Sequence, residues 1–243
     1  MRVSLIGLGG VKLGRDQGVR YAESFTIPSA ETAAGLLDRA RELGVNLIDT
    51  APAYGTSEIL LGNLLKPQRR QWIICSKVGE EFQDGASHFD FSPGATRKSV
   101  ERSLQRLATD YLDIALIHSN GADLRILNEL GTLEALRELQ QQGLIRAVGI
   151  SHKTVEGGLR AIELGADVIM ATLNPRALEQ IPVVKAASAQ GCGVLIKKAL
   201  AGGDGSPEDL AWVAGNRGVS SIVVGTINRD HLQANIAAAC AEA

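Results

Sequence analysis

The stretch "VSLIGLGGVKLG", Val3 to Gly14, decides between two α/β folds. Its first six residues read as a buried strand, and glycines stand at Gly7 within it and at Gly9, Gly10 and Gly14 beyond it. A doubly wound open sheet binds a dinucleotide at this point through G-x-G-x-x-G, with the last glycine opening a helix. Here the spacing is wrong, and no helical period follows: Lys12 to Pro28 reads as a long polar loop, a length that is usually functional or mobile. The open sheet therefore loses its main support.

Working outward, seven more apolar runs follow: "VNLID" (45–49), "WIICSK" (72–77), "LDIALIH" (112–118), "IRAVGIS" (145–151), "DVIMATL" (167–173), "GVLIKK" (193–198) and "SIVVGT" (221–226). Continuous rather than alternating apolar runs are what strands covered on both faces look like. Segments of helical period separate them. In "SAETAAGLLDRARELG" (29–44), Ala33, Leu36, Leu37, Ala40 and Leu43 share one face, Ser29 caps the start, and Gly44 ends the helix. "TLEALRELQQQG" (132–143) shows the same order with Thr132 as the cap. "SPGATRKSVERSLQRLA" (92–108) and "SPEDLAWVAGNRG" (206–218) open with Ser-Pro, proline being tolerated in the first helical turn. Eight strand–helix units without a linker predict one α/β domain over residues 1–243, a (β/α)8 TIM barrel.

Composition narrows the partners. The chain of 243 residues has net charge -2 and is 45% hydrophobic. Without a basic field it is not expected to bind nucleic acid. Cys75, Cys192 and Cys240 lack C-x-x-C spacing, which argues against a zinc site or disulfide framework and suits a reducing cytoplasm. The first residues are too short an apolar run for a signal peptide, and no segment reads as a membrane span. A small molecule is the expected partner, and no obligate protein partner is evident. Trp72 and Trp212 read as packing anchors, His88 and His152 as surface or loop residues rather than metal ligands. The segment Glu80 to Phe91, with Phe82, Phe89 and Phe91, reads as a loop able to wall a substrate.

A barrel builds its site at the C-terminal strand ends. Those ends carry Asp49 with Tyr54 in the same loop, then Lys77, His118, Ser151 and His152, Asn174, Lys197 and Lys198, and Gly225 with Thr226. Successive parallel strands are neighbours, so Asp49, Tyr54, Lys77 and His118 should converge in one quadrant of the mouth. A buried ammonium beside a tyrosine favours the phenolate, and the ammonium itself needs a carboxylate. Lys77 and Asp49 supply both. A general acid poised over an oxygen suits carbonyl protonation as a hydride arrives, or the reverse.

The quoted segments resemble the aldo-keto reductase family, in the form of a short bacterial-type member. "GVNLIDTAPAYG" (44–55) is similar to that family's first signature, "CSKVG" to its lysine strand, "LDIALIHSNG" to its histidine strand, and "VVGTINRDHLQAN" to its cofactor segment. The resemblance implies a catalytic tetrad of Asp49, Tyr54, Lys77 and His118, acting in NADPH-dependent reduction of aldehydes or ketones. It implies NADP(H), favoured over NAD(H), lying across the strand ends. Its nicotinamide would lie near Ser151, His152 and Asn174, its pyrophosphate near Lys198, and its adenosine end near Gly225, Thr226 and Asn235; the arginine that pairs with the 2′-phosphate in many members aligns with His231, which leaves Arg229 as the nearest cation for that phosphate.

Further departures fall at the nicotinamide. His152 stands where the family usually has Asn, Met170 where Gln is common, and Lys197 where an aromatic is often found. No N-terminal hairpin and no extended C-terminal loop are expected, which implies an open, weakly selective pocket. Two other readings stay open: an NADP(H)-binding redox sensor or regulatory protein with little turnover, and a lyase or isomerase using Lys77 as a Schiff base.

Overall fold

The computed structural model describes residues 1–19 and 24–241. In chain order the elements begin β1 (Ile6–Gly9), α1 (Ala30–Glu42), β2 (Leu47–Asp49), α2 (Ser57–Leu65), β3 (Ile73–Val78), β4 (Glu80–Gln83), β5 (Ala86–Phe89), α3 (Pro93–Arg106) and β6 (Leu112–His118). They continue with α4 (Asp123–Glu129), α5 (Thr132–Gln141), β7 (Ile145–Ser151), α6 (Val155–Glu163), β8 (Val168–Thr172), α7 (Ile181–Ala189), β9 (Gly193–Lys197), α8 (Pro207–Ala214), β10 (Ser221–Val224) and α9 (Arg229–Cys240). Eight of these strands close in parallel order β1-β10-β9-β8-β7-β6-β3-β2. This is the (β/α)8 barrel that the eight apolar runs predict.

Two apolar layers follow from strand alternation. One set fills the barrel interior: Leu47, Cys75, Ile114, Leu116, Ala147, Val168, Met170 and Leu195. The intervening residues, among them Ile48, Ile74, Ile117, Val148, Ile169 and Ile196, belong to the larger cluster shared with the helices. Closure needs a close backbone approach at Gly149, the register partner of Val168, where a β-carbon would lie 1.6 Å from the Val168 carbonyl oxygen.

Several local expectations change. Ser29 and Ser92 cap α1 and α3 through bonds from the Thr32 and Ala95 amides. Thr132, read as a cap, is instead the first residue of α5, with Gly131 as the cap in left-handed backbone. Its hydroxyl donates to the Phe91 carbonyl, a tertiary bond that local pattern does not reveal. Trp72 is buried as an anchor, but Trp212 is 37% exposed on α8. The segment after β3 is not a loop: β4 and β5 form an antiparallel hairpin around Asp84 and Gly85, both with positive φ, as Asp-Gly favours in tight hairpin turns. In the long first loop, Val11–Leu13 forms a 3-10 turn that buries Leu13, and residues 20–23 lie outside the described residues.

Because the β7–β8 contact leaves no room for a methyl group, Gly149→Ala should destabilise the barrel by about 3 kcal/mol. Urea unfolding monitored by circular dichroism checks this; an unchanged midpoint would show that the strands can separate freely.

Candidate active site

Parity decides which side chains enter the mouth. Asp49 continues the inward series of Leu47, Lys77 that of Cys75, and His118 that of Ile114 and Leu116. Ser151 follows Ala147, and Lys197 follows Leu195. His152 has the opposite parity, in step with Val148 and Ile150. Its buried ring lies against the helices: a β-carbon at Gly158 of α6 would come within 2.7 Å of His152 Cε1. His152 Nδ1 bonds the Thr154 carbonyl, and burial with the nearby Lys197 charge pulls the ring down to about 4. It lies in the loop just past β7, as the sequence allows, but its ring is interior rather than at the surface.

Asp49 and Lys77 form a buried ion pair on neighbouring strands, with Lys77 Nζ 2.5 Å from Asp49 Oδ1. Lys77 Nζ also donates to the Thr50 carbonyl at 2.9 Å. Burial pulls the ammonium toward deprotonation, but Asp49, and after it Tyr54, hold Lys77 above its ordinary value. The same ammonium lies 4.6 Å from the centroid of the Tyr54 ring. Tyr54 and His118 meet edge to face at 6.0 Å between centroids. The four residues expected to converge are thus together.

The Tyr54 loop is held on several sides. The Tyr54 amide donates to the Ala51 carbonyl, the Ser57 amide to the Tyr54 carbonyl, and Arg15 Nη1 to the Ala53 carbonyl. Gly55, at φ +62, presses on the first loop, where a β-carbon would lie 2.1 Å from the Gly14 carbonyl oxygen. These contacts fix the phenol from a segment without regular structure.

Two residues of this site are missing from the sequence reading. Glu80, at the start of β4, accepts from His118 Nδ1 at 2.8 Å and from Ser87 Oγ at 2.6 Å. Arg15 lies 3.9 Å from the other side of the same carboxylate and stacks on Phe82, with its guanidinium carbon 3.4 Å from the ring centroid. Burial would raise Glu80, but the bond and charge of His118, the Ser87 bond and the Arg15 charge hold it at about 2. Burial lowers His118 below its ordinary value, Glu80 opposes that, and Lys77 and Lys197 add to the lowering. The Asp-Gly pair at positions 84 and 85 is a signal from which the hairpin could have been found, although the segment read as a loop; the pairing of its first residue with a histidine 38 positions away left no local signal.

The remaining candidates spread along the arc from β7 to α9. Ser151 Oγ accepts from Lys197 Nζ at 2.8 Å. The Asn174 amide is engaged by a bond to the Lys198 carbonyl and one from the Arg176 amide. Lys198 is exposed in left-handed backbone, and Gly225 is exposed beyond β10. Thr226 Oγ1 accepts from the Asn228 amide, and Asn228 Oδ1 caps α9 by accepting from the Asp230 and His231 amides. Arg229 lies over Gly35 of α1, has no carboxylate partner among the described residues, and Asn235 sits half-buried two turns along α9.

Elsewhere, a cavity of about 720 Å³ opens beside the N-terminal strand ends, lined by Val3, Ile114, Ala147, Val168, Cys192 and Leu195. Its charged neighbours are committed: Arg146 pairs with Asp113, and Asp167 accepts from Val148 N and Gln140 Nε2. Among the described residues, no cluster of three or more His, Cys, Asp or Glu side chains offers a metal site, and no helix is long and apolar enough to cross a membrane.

Comparison with known proteins bears on the family and the fold. A structure from Pseudomonas aeruginosa assigned to the aldo-keto reductases superposes with TM-score 0.91 and 51% identity, covering 98% of this chain and 89% of that one. An uncharacterised oxidoreductase of Bacillus subtilis is 34% identical over 61% of this chain and 45% of its own length. The NADH-specific methylglyoxal reductase of Escherichia coli is 33% identical over 58% of this chain and 48% of its own. The chain thus spans about half the length of the curated relatives it matches. The profile of the aldo/keto reductase family matches residues 5–209. With that match over most of its length and with the barrel itself, the chain belongs to the aldo/keto reductase family of oxidoreductases, which use nicotinamide cofactors.

Proposed function

We propose that this protein reduces aldehydes or ketones with NADPH, and that Tyr54 is its general acid. The observation that carries the reading is the Lys77 ammonium, locked to Asp49 and 4.6 Å from the Tyr54 ring centroid. A fixed positive charge beside a phenol stabilises negative charge on its oxygen, so the proton leaves more readily as a carbonyl oxygen gains charge. In alcohol oxidation the same oxygen takes the proton back. Lys77 itself is ill suited to Schiff-base chemistry, because Asp49 keeps it protonated.

His118 handles the neighbouring proton. With Nδ1 donating to Glu80, neutral His118 leaves Nε2 as an acceptor, which suits an alcohol or phenol hydroxyl. Donation to a carbonyl oxygen requires the imidazolium, and the Glu80 carboxylate stabilises that form. Glu80 therefore sets both the tautomer and the orientation of the ring.

The arc from β9 to α9 has a donor set suited to a polyanionic dinucleotide: Lys198, the exposed backbone at Gly225 and the exposed Arg229, which pairs with no carboxylate among the described residues. These groups would hold the phosphates of a nicotinamide dinucleotide, and the chemistry that cofactor would supply is hydride transfer. Arg229 suits a 2′-phosphate and so favours NADPH, in contrast to the NADH-specific relative. A second reading, a cofactor-binding regulator with little turnover, draws on the bonding of Ser151 by Lys197 and the prior commitment of the Asn174 amide. NADPH binding without carbonyl-dependent oxidation would favour it.

Three outcomes test the reading. Tyr54→Phe should lower turnover of a panel of aromatic and sugar aldehydes by about a hundredfold or more while leaving NADPH affinity, read by fluorescence quenching, nearly unchanged; retained turnover removes Tyr54 from the acid role. Arg229→Ser should weaken NADPH binding by about tenfold and NADH binding much less; equal losses would detach Arg229 from the 2′-phosphate. The third concerns Glu80. Its pKa is depressed from 4.5 to about 2, so its stabilisation is complete above 4.5 and is lost as pH falls toward 2. The stability deficit of Glu80→Gln in urea should accordingly shrink on acidification below 4.5, and a deficit independent of pH would contradict the pairing.

A further inference from the structure

Two lysines enter the barrel mouth, and their partners differ in kind. Lys77 bonds a carboxylate. Lys197 Nζ donates to Ser151 Oγ at 2.8 Å and to the His152 carbonyl at 3.1 Å, both neutral acceptors, and pairs with no carboxylate among the described residues. Its charged surroundings are mostly of its own sign: Lys77 on β3, Lys153 beyond β7 and Lys198 at the end of its own strand. His118 on β6 also feels the Lys197 charge. Asp123 at the head of α4 opposes these cations, but its Oδ2 already accepts from the Lys153 amide, the Thr154 amide and Thr154 Oγ1.

From this geometry we propose that Lys197 is a reactive amine, a site at which small unhindered aldehydes condense reversibly to an imine. An ammonium bonded to neutral oxygens, partly withdrawn from water and set among other ammonium groups, is destabilised relative to the free amine. Burial, then Lys198 and Lys77, bring Lys197 down to about 7. The side chain stays partly exposed, so a small molecule has access.

The step balances without a redox partner. The amine lone pair attacks the carbonyl carbon, the C–O π bond breaks, and a proton moves from nitrogen to oxygen to give the carbinolamine. Loss of water then leaves the C=N bond. Ser151 Oγ, already bonded to Nζ, is placed to relay that proton. The inference goes beyond the reductase reading, because it requires neither Tyr54 nor a cofactor.

The test uses the cofactor-free wild-type protein, glyceraldehyde as the probe and sodium cyanoborohydride to reduce the imine to a stable secondary amine, with peptide mass spectrometry over time. The chain has eight lysines, and the exposed Lys66, Lys98 and Lys185 are internal standards. Near neutral pH the free-amine fraction of Lys197 exceeds that of an ordinary lysine by about a thousandfold. Lower nucleophilicity and partial burial reduce that advantage, so labelling about tenfold faster than the standards is expected. The rate should level off above a midpoint of about 7. Lys77 should stay unlabelled. Labelling of Lys197 no faster than the standards, or a rate that climbs through the alkaline range without levelling, would overturn the proposal whatever the outcome with Tyr54→Phe.

Discussion

The ion pair between Lys77 and Asp49 is the constraint on which the mouth depends. Two ions out of water cost several kcal/mol each in desolvation, and they repay it only with close geometry and further hydrogen bonds. Both conditions hold here: Nζ is 2.5 Å from Asp49 Oδ1, and a second bond runs to the Thr50 carbonyl. Thr50 is also the first residue of the segment that delivers Tyr54. Its amide bonds the Cys75 carbonyl on β3, and its hydroxyl is 3.0 Å from Ser57 Oγ at the start of α2. One lysine thus ties strand β2, strand β3 and the phenol loop into a unit. Removing either partner leaves an unpaired charge in an apolar wall, a loss of about 3–5 kcal/mol, so tuning and folding are not separable at this position.

Around the same ring, neighbouring groups solve the desolvation problem in other ways. Glu80 is half-buried and stays ionised because His118, Ser87 and Arg15 all face it. Among the described residues Lys197 has neutral acceptors, and it moves toward the free amine. Cys75, inside the barrel beside Asp49, has its thiol raised well above the ordinary value by burial and then by that carboxylate, which leaves it a small apolar filler. Divergent protonation states within one mouth arise from partner chemistry rather than depth. Pairs of like groups driven apart in this way are what a proton-transfer site requires.

Strand content was legible in the sequence because each strand of a parallel barrel is apolar on both faces and needs no distant information to be seen. Strand ends were legible for the same reason, and with them Asp49, Lys77, His118 and Ser151. Side-chain direction was half legible. Period two sends Lys197 inward and His152 outward once the strand is known to hold its pleat through Ser151 and Lys197, but the doublets at 151–152 and 197–198 look symmetric until that register is fixed. Thr132 shows a different limit: a Thr before an apolar stripe looks like a cap, yet its hydroxyl is drawn to Phe91 by tertiary packing and a glycine takes over. Arg229 opens α9, and its placement over Gly35 depends on how α9 packs on α1, which no local pattern shows.

Glu80 and Arg15 mark where local reading ends, and the reason is topological. Arg15 belongs to the loop after β1, Phe82 and Glu80 to the hairpin after β3, and His118 to the end of β6. None of these segments is adjacent in the chain, but barrel closure brings their ends around one rim. Arg15 is held by the Ala53, Gln17 and Gly18 carbonyls, so its charge and its stacking surface are fixed from the Tyr54 side. Phe82 stacks on that surface, and the hairpin so positioned presents Glu80 to His118. The orientation of the histidine is therefore set from the tyrosine loop, through an arginine and a hairpin. Variation in hairpin or first loop would alter proton handling without touching any of the four residues that the strand ends supply.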